Sequence, residues 1–567
     1  DNTPIYIWRT VPSSSVWCEG SNRAERVCKF RNLCYAPQYE RWFIFKTNRT
    51  VLHGVPENHH TTALLEMTTV TSHTAIFFNY EEVNPFSPKF RNIPIRYEED
   101  LHFITMRLHP ENIMHNLHDD TLGLYFLIKQ YVGQGSAALD MPFSLDTHRI
   151  LVDDGFLATN TEQPLRYLSS RPIRYRNYLD QEPDVITCFR DAVVGNRKLV
   201  NWYQYGFTEP QGPIKDKHVN GMHIREISEC GNATDSDTTS SALPPVPTSF
   251  HPGTLIPGVP ENYDPTLDPN MDPISTDIIV ILSRRGNRLI VNEDDLAERL
   301  HERYGLEVVF VRNEDHGFEE QVAFMRRARV VLGMHGSLLI MGMFCKRGAI
   351  MIELFPYGVP SENYTPYRTM AHLPGMLVSY RAWENKHKNN TISHPDRHAL
   401  FGGIKHLSEE EQREIEESTT IPPHKCCTNP RWLYRIYADT IVEINEVIGL
   451  IDDAVKESRL MRFNNYLRNW EEPDMLELPT VETPVCLDGP GRKPGELWAR
   501  WGNPFSGAKV DRWSVMVEEK QTEYMAIYGP LVAISGFEPG TEVVFWVRPT
   551  YPDGRNGEFG NRGKCPV

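Results

Sequence analysis

From residue 276 onward the chain repeats one pattern, a short continuous apolar run followed by a helix-length amphipathic stretch. "TDIIVILSR" precedes "NEDDLAERLHERYG", "LEVVFVR" precedes "GFEEQVAFMRRA", "RVVLGM" precedes "SLLIMGMFCK", and "AIMIELF" closes the series. Apolar runs without alternation need cover on both faces, and the helices between them supply it. The pattern predicts α/β architecture, with four strands of a doubly wound parallel sheet.

Such a sheet binds ligands at the carboxyl ends of its strands, where helix N-termini attract anions. "GMHGS" occupies that position after the third strand, so Gly336 and Ser337 can approach an anion and His335 can donate to it. Ser283, Arg284 and Arg288 in "LSRRGNRLIVNE" end the first strand, and Glu353 in "MIELFP" ends the fourth. Arginines, a glycine-flanked histidine and an acid suited to paired ribose hydroxyls together predict a nucleotide-diphosphate site.

The flanking regions differ. Residues 1–230 mix short apolar runs with turns and predict strands alternating with helices. Residues 231–275 are rich in Pro, Ser, Thr and Asp and read as a linker or long surface loop. A unit from 276 to 475 holds the parallel sheet. In 480–567, short alternating runs separated by turns predict a β-sandwich. It is similar to a fibronectin type III domain through Trp501 and "FEPGTEVVFWVRP", with Val543 at the usual tyrosine-corner position. Cys486 and Cys565 bracket it, placed to pair across its first and last strands.

In the first half, "RLHPENIMHNLHDDTLGLYF" carries the densest chemistry. With Pro110 in a first helical turn, Asn112, His115 and Asp119 share a face, flanked by His118 and Asp120. This cluster suits a metal site, a proton-transfer face or a solvated polar face. "NWYQYGFTEPQGP" gathers Trp202, Tyr203 and Tyr205, suited equally to a sugar platform or to a core. Asp235 and Asp237 form an acid-x-acid pair inside the linker, a weak basis for a metal, and none is expected.

A formal net charge of −16 argues against a polyanionic partner such as nucleic acid held by bulk electrostatics. Ten cysteines without a CxxC pair, and sequons at Asn48, Asn232, Asn389 and the proline-flanked Asn363, point to an oxidising, glycosylating lumen. No apolar stretch of about 20 residues occurs, so any membrane anchor is expected outside this sequence.

"SRRGNRLIVNE", "DHGFEEQVAFMRRARVVLGMHGSLLIMGMF", "IELFPYGV", "NYTPYRTMAHLPGM" and "HKCCTNPRWLYRIYADT" resemble family-61 glycosyltransferases over roughly residues 15–567. The resemblance implies a GT-B-like pair of Rossmann-type domains followed by the fibronectin-like sandwich, in a type II membrane protein of the endoplasmic reticulum. It implies inverting, metal-independent transfer of GlcNAc from UDP-GlcNAc to O-linked mannose on a protein such as α-dystroglycan, with no cofactor. Donor recognition then falls to Ser283, Arg284, Arg288, His335, Gly336, Ser337 and Glu353. Arg107, Asn112, Trp202, Tyr203 and Tyr205 face the acceptor. Asp119 or Asp120 serves as base, oriented by His115 or His118. The sister activity, GlcNAc transfer to EGF-like domains, and an inactive lumenal carbohydrate-binding or adhesion protein are the rival readings.

Overall fold

The computed structural model describes residues 13–69, 76–87, 93–132, 146–156, 163–197, 200–205, 211–214, 219–230, 277–422, 428–466, 484–501, 510–518, 522–526, 530–550 and 563–567, together with Phe90 and Lys217. The expected linker, Asn232 and the Asp235–Asp237 pair lie outside the described residues. The fold is mixed α/β with several sheets.

In the second unit five strands, all parallel, run in the order Glu307–Val311, Ile278–Leu282, Ala328–Met334, Ala349–Phe355, Val378–Glu384. The last is a fifth strand that the four-run reading omits, because "VSYRAWE" is broken by polar residues. The strand first in sequence therefore lies between the second and the third, a topological switch point that opens a crevice at the carboxyl ends of Ile278–Leu282 and Ala328–Met334. Gly333 lets these strands close, because a Cβ there would meet the Leu282 Cβ at 2.8 Å. Ser337–Phe344, expected as an α-helix, is a tighter 3₁₀ segment. Leu338–Phe344 is buried throughout, so packing rather than an amphipathic stripe sets its winding.

The first unit departs from a doubly wound layout. Its nine-stranded sheet is parallel from Arg174–Tyr175 through His148–Val152 and Ile95–Thr105 to Ile186–Val194, then antiparallel across Val27–Ala36 to Ser15–Glu19 and Arg41–Phe45. Disulfides Cys18–Cys28 and Cys34–Cys188 tie directly opposed residues of the antiparallel part. The two units share one hydrophobic core, in which Tyr167 and Phe344 both sit against Phe318, with ring centroids 5.8 and 5.7 Å from it. Arg225 threads through that seam and donates to the Cys345 and Met376 carbonyls.

The C-terminal unit is an antiparallel sandwich. Val485–Cys486, Glu496–Arg500 and Leu531–Ser535 face Thr522–Ala526, Arg512–Val517, Glu542–Thr550 and Gly563–Pro566 across a core containing Trp501, Trp513, Val515 and Phe545. Cys486 and Cys565 are joined, and Val543 points into the core, paired with Cys565 in the ladder. Asn48 lies exposed in a turn and Asn389 exposed in the short 3₁₀ helix Lys388–Asn390. No helix among the described residues is long and apolar enough to cross a membrane.

Candidate functional site

The crevice of the parallel sheet collects positive charge. In "SRRGNR", Arg285 turns outward to pair with Asp315 at 2.6 Å, whereas Arg284 and Arg288 turn toward Gly336. A Cβ on Gly336 would lie 2.4 Å from Arg288 Nη1 and 2.7 Å from Arg284 Nη2, and its φ of 154° also favours glycine. Arg288 itself is left-handed at φ 54°. Its Nη1 donates to the His335 carbonyl at 3.1 Å, and its guanidinium lies 4.9 Å from the centre of the Tyr437 ring. Among the described residues neither guanidinium has a carboxylate within ion-pair distance. Burial and the neighbouring Arg288 charge push Arg284 down to about 10, still cationic at neutral pH. Two half-buried cations four residues apart in sequence, with the first N–H groups of Ser337–Phe344 beside them, form a cradle that a polyanion would neutralise.

His335 is held at the edge of this cradle. Its Nδ1 lies 2.5 Å from Glu353 Oε1, while Tyr380 donates to Oε2 at 2.5 Å. The ring stacks on Phe355 at 4.9 Å. Glu353 is wholly buried and both its oxygens are occupied, so the expected ribose contact gives way to orientation of His335. Ser283 stays at the carboxyl end of Ile278–Leu282, but its hydroxyl is engaged. Its hydroxyl donates to Glu293 at 2.6 Å and accepts from Arg312 Nε at 2.9 Å.

The second cluster lies on a helix that starts later than Pro110 predicts. Asn112 caps it by accepting from the Met114 N–H at 3.0 Å, a local role in place of the expected acceptor contact. One wide π-type turn, Asn116–Thr121, follows and turns His118, Asp119 and Asp120 inward, so these groups are buried rather than a solvated face. His118 Nε2 accepts from the Trp202 backbone N–H at 3.2 Å, which leaves its protonated Nδ1 to donate to Asp119 Oδ1 at 2.5 Å. His115 Nδ1 lies 2.6 Å from Asp119 Oδ2. Burial raises the Asp119 carboxyl, but the hydrogen bonds from His115 and His118 outweigh it and hold the group well below the usual carboxylate range. Asp120 behaves oppositely: burial and the Asp119 charge push it well above that range. Its Oδ1 accepts from the Leu108 N–H at 3.2 Å. Of the trio His115, His118 and Asp119, His115 alone reaches solvent appreciably, with 14% of its side chain exposed against 0% and 2%.

Around this trio the aromatic segment is mostly core. Trp202 is fully buried and donates to the Pro366 carbonyl at 2.9 Å. Tyr203, pushed up to about 12 by burial, accepts from the Thr365 N–H at 3.2 Å. Tyr205 keeps an exposed edge, its hydroxyl 2.8 Å from His118 Nδ1 and 3.4 Å from Asp119 Oδ1. Arg107 is buried in a bidentate pair with Asp154 at 2.8 and 2.9 Å and braces the fold instead of facing an acceptor.

Tyr367, absent from the sequence reading, brings the two clusters to one place. It is buried within electrostatic range of Arg284, Arg288 and Glu353 on one side and of Tyr205 on the other, with its ring 6.0 Å from His335. Pro366 as the first residue of the helix Pro366–Ala371, right after the Trp202-bound turn, was the available signal. Tyr380 was missed with its strand.

A glycosyltransferase 61 family model matches residues 241–352, which contain the arginine pair and His335. A Xenopus laevis protein O-linked-mannose beta-1,4-N-acetylglucosaminyltransferase 2 is 30% identical over 94% of this chain and 85% of its own length. The chain belongs to this glycosyltransferase family. The Danio rerio relative of the same name is 31% identical over 96% and 87% of the two chains, and the Homo sapiens one 34% over 77% and 69%. A solved human fibronectin type III domain aligns with 16% of this chain and 83% of its own, at 17% identity and a TM-score of 0.14, too low to bear on the fold. The arrangement holds two distinct clusters, a pair of cations at the switch point of the parallel sheet and a hydrogen-bonded His115–Asp119–His118 group on the first unit.

Proposed function

We propose that this glycosyltransferase moves GlcNAc from UDP-GlcNAc to an O-linked mannose of a protein such as α-dystroglycan, forming a β-1,4 linkage with inversion and without a required metal. The observation that carries this reading is the Arg284–Arg288 pair around Gly336, two cations with no carboxylate at ion-pair distance among the described residues, at the switch point of a parallel sheet. A departing UDP supplies that counter-charge. Guanidiniums and helix N–H groups stabilise the leaving diphosphate as it develops charge, the task a metal performs elsewhere. The units built on the two large sheets are read as GT-B-like halves, and the C-terminal sandwich as a fibronectin type III-like module that holds acceptor polypeptide.

The other half of the reaction is removal of the mannose hydroxyl proton. His115 is the acceptor of that proton in our reading, with Asp119 orienting it. Asp119 is a poor base because both oxygens are hydrogen-bonded and its carboxyl is held ionised. His118, locked by Trp202, fixes Asp119 from the other side. The lumen of the endoplasmic reticulum, reached through an N-terminal anchor, is the proposed location. Three disulfides among the described residues and the exposed positions of Asn48 and Asn389 support it.

The test is transfer of labelled GlcNAc from UDP-GlcNAc to an O-mannosyl peptide, with and without EDTA, beside an unmodified EGF-like domain. Product on mannose in EDTA is expected. Product confined to the EGF-like domain, or none on either acceptor, would overturn the assignment.

A further inference from the structure

We propose that His59, His60 and Glu82 form a site for a divalent transition metal ion, with Zn²⁺ as its natural occupant, in the first unit. One ligand atom from each lies within 4.8 Å of the others. Glu82 Oε1 is 3.9 Å from His59 Nε2 and 4.0 Å from His60 Nε2.

His59 makes the strongest case. It is 97% buried, with 3% of its side chain exposed. Its Nδ1 is 3.0 Å from the Pro56 carbonyl, which can only accept, so Nδ1 carries the proton and Nε2 the lone pair. That Nε2 is buried with no hydrogen-bond partner among the described residues and lies 3.9 Å from Glu82 Oε1. An ionised carboxylate has no proton to donate, so a Lewis acid placed between them satisfies both groups. A ligating histidine that donates its other N–H to a backbone carbonyl is the usual arrangement in metal sites.

The surroundings hold this geometry. The His59 N–H donates to the Pro56 carbonyl at 3.1 Å, Asn79 Nδ2 donates to the His59 carbonyl at 3.0 Å, and the ring lies 4.9 Å from that of Tyr80. Lys46 donates to Glu82 Oε2 at 2.5 Å, leaving Oε1 as the oxygen that faces the imidazoles. Zinc binds imidazole nitrogen and carboxylate oxygen at about 2.0–2.2 Å, so tetrahedral ligands stand about 3.4 Å apart. The present separations close to that value by turning His60, which is 52% exposed, and shifting Glu82 by roughly half an ångström. Water completes the coordination.

The ion would pin the 54–62 turn to the strand Glu81–Val83, which pairs only with Arg41–Phe45 among the described strands. The chain leaving that turn runs to Thr69, whose hydroxyl donates to the Asp119 carbonyl at 3.0 Å. The role is therefore bracing, independent of the donor reading and compatible with transfer chemistry that needs no metal. Imidazole donors exclude Mg²⁺ and Ca²⁺ as good occupants.

The test uses untagged, metal-stripped protein titrated calorimetrically with ZnCl₂, with thermal melts in Zn²⁺ and in Mg²⁺. One equivalent of Zn²⁺ is expected to bind and raise the melting temperature, while Mg²⁺ does neither. His60→Ala, whose exposed ring carries little folding burden, should melt like wild type without metal and bind Zn²⁺ at least tenfold more weakly; Glu82→Gln should weaken it similarly. Absence of a one-to-one Zn²⁺ isotherm in wild type, or unchanged affinity in both variants, would overturn the proposal.

Discussion

The anion cradle and the His115–Asp119 cluster treat charge in opposite ways. Among the described residues Arg284 and Arg288 have no carboxylate at ion-pair distance, and the Arg288 charge disfavours that of Arg284, whereas the single Asp119 charge is enclosed by two imidazoles, with Tyr205 and Asn201 close behind. The arginine pair is thus open to an anionic ligand, in our proposal the UDP group, whereas the Asp119 charge is already held by its neighbours. A saturated carboxylate is a statement about its neighbours.

The largest expected effect falls on the second cluster. His115→Ala should lower kcat by about 10²–10⁴, the usual worth of general base catalysis, with UDP affinity unchanged in calorimetry. Asp119→Asn should reduce kcat nearly as far by disorienting the same imidazole. If Asp119→Asn abolished transfer while His115→Ala retained it, the roles would be reversed and Asp119 would be the base.

Next comes the cradle. Losing one charged hydrogen-bond donor costs about 1.5–3 kcal/mol, so Arg284→Ala should weaken UDP binding by about 10–150-fold at roughly 1.4 kcal/mol per decade. The same variant should melt no lower than wild type without UDP, since it relieves repulsion from Arg288. Gly336→Ala should also impair UDP binding, because its methyl group occupies the space of both guanidinium ends. A substantially destabilised Arg284→Ala apoprotein would show that the arginine has a structural partner after all.

A smaller effect reads the buried acids. Asp120 has a folded-state pKa raised above its unfolded value of about 3.9. Its contribution to stability is full below that value and falls as pH rises toward the folded pKa, by up to about 1.4 kcal/mol per pH unit. Asp120→Asn removes the term, so the melting temperature of the variant relative to wild type should climb between pH 4 and pH 7. For Asp119 the sign is opposite: its lowered pKa stabilises above about pH 4, and that stability is lost as pH falls. A flat difference for Asp120→Asn across that range would mean that its carboxyl is ionised in the fold.

The same contrast decides what could be read in the sequence. The parallel sheet was legible because buried strands must be continuous apolar runs and strand ends define a ligand edge, so Arg284, Arg288 and Gly336 could be placed together from "SRRGNR" and "GMHGS". That reading could not tell which polar groups the fold would consume. Ser283, Glu353 and Arg107 each hydrogen-bond a neighbouring polar side chain instead. In "NIMHNLHDD" a regular helix repeat places His115 and Asp119 on one face, but the π-type turn that buries His118 and Asp120 has no periodic signature. Trp202 and Tyr203 look like a sugar platform in composition, yet their polar edges serve the Pro366–Ala371 helix. The mixed sheet of residues 15–194 was least legible, because its strands pair across long sequence separations such as Cys34 with Cys188.

The most direct measurement is calorimetric titration of UDP into wild type, Arg284→Ala and His115→Ala, with transfer to an O-mannosyl peptide followed on the same preparations. The account predicts that Arg284→Ala loses UDP affinity by at least tenfold, while His115→Ala binds UDP as wild type does and yet transfers almost nothing. Wild-type UDP affinity in Arg284→Ala, or full transfer by His115→Ala, would contradict the division of labour between the two clusters.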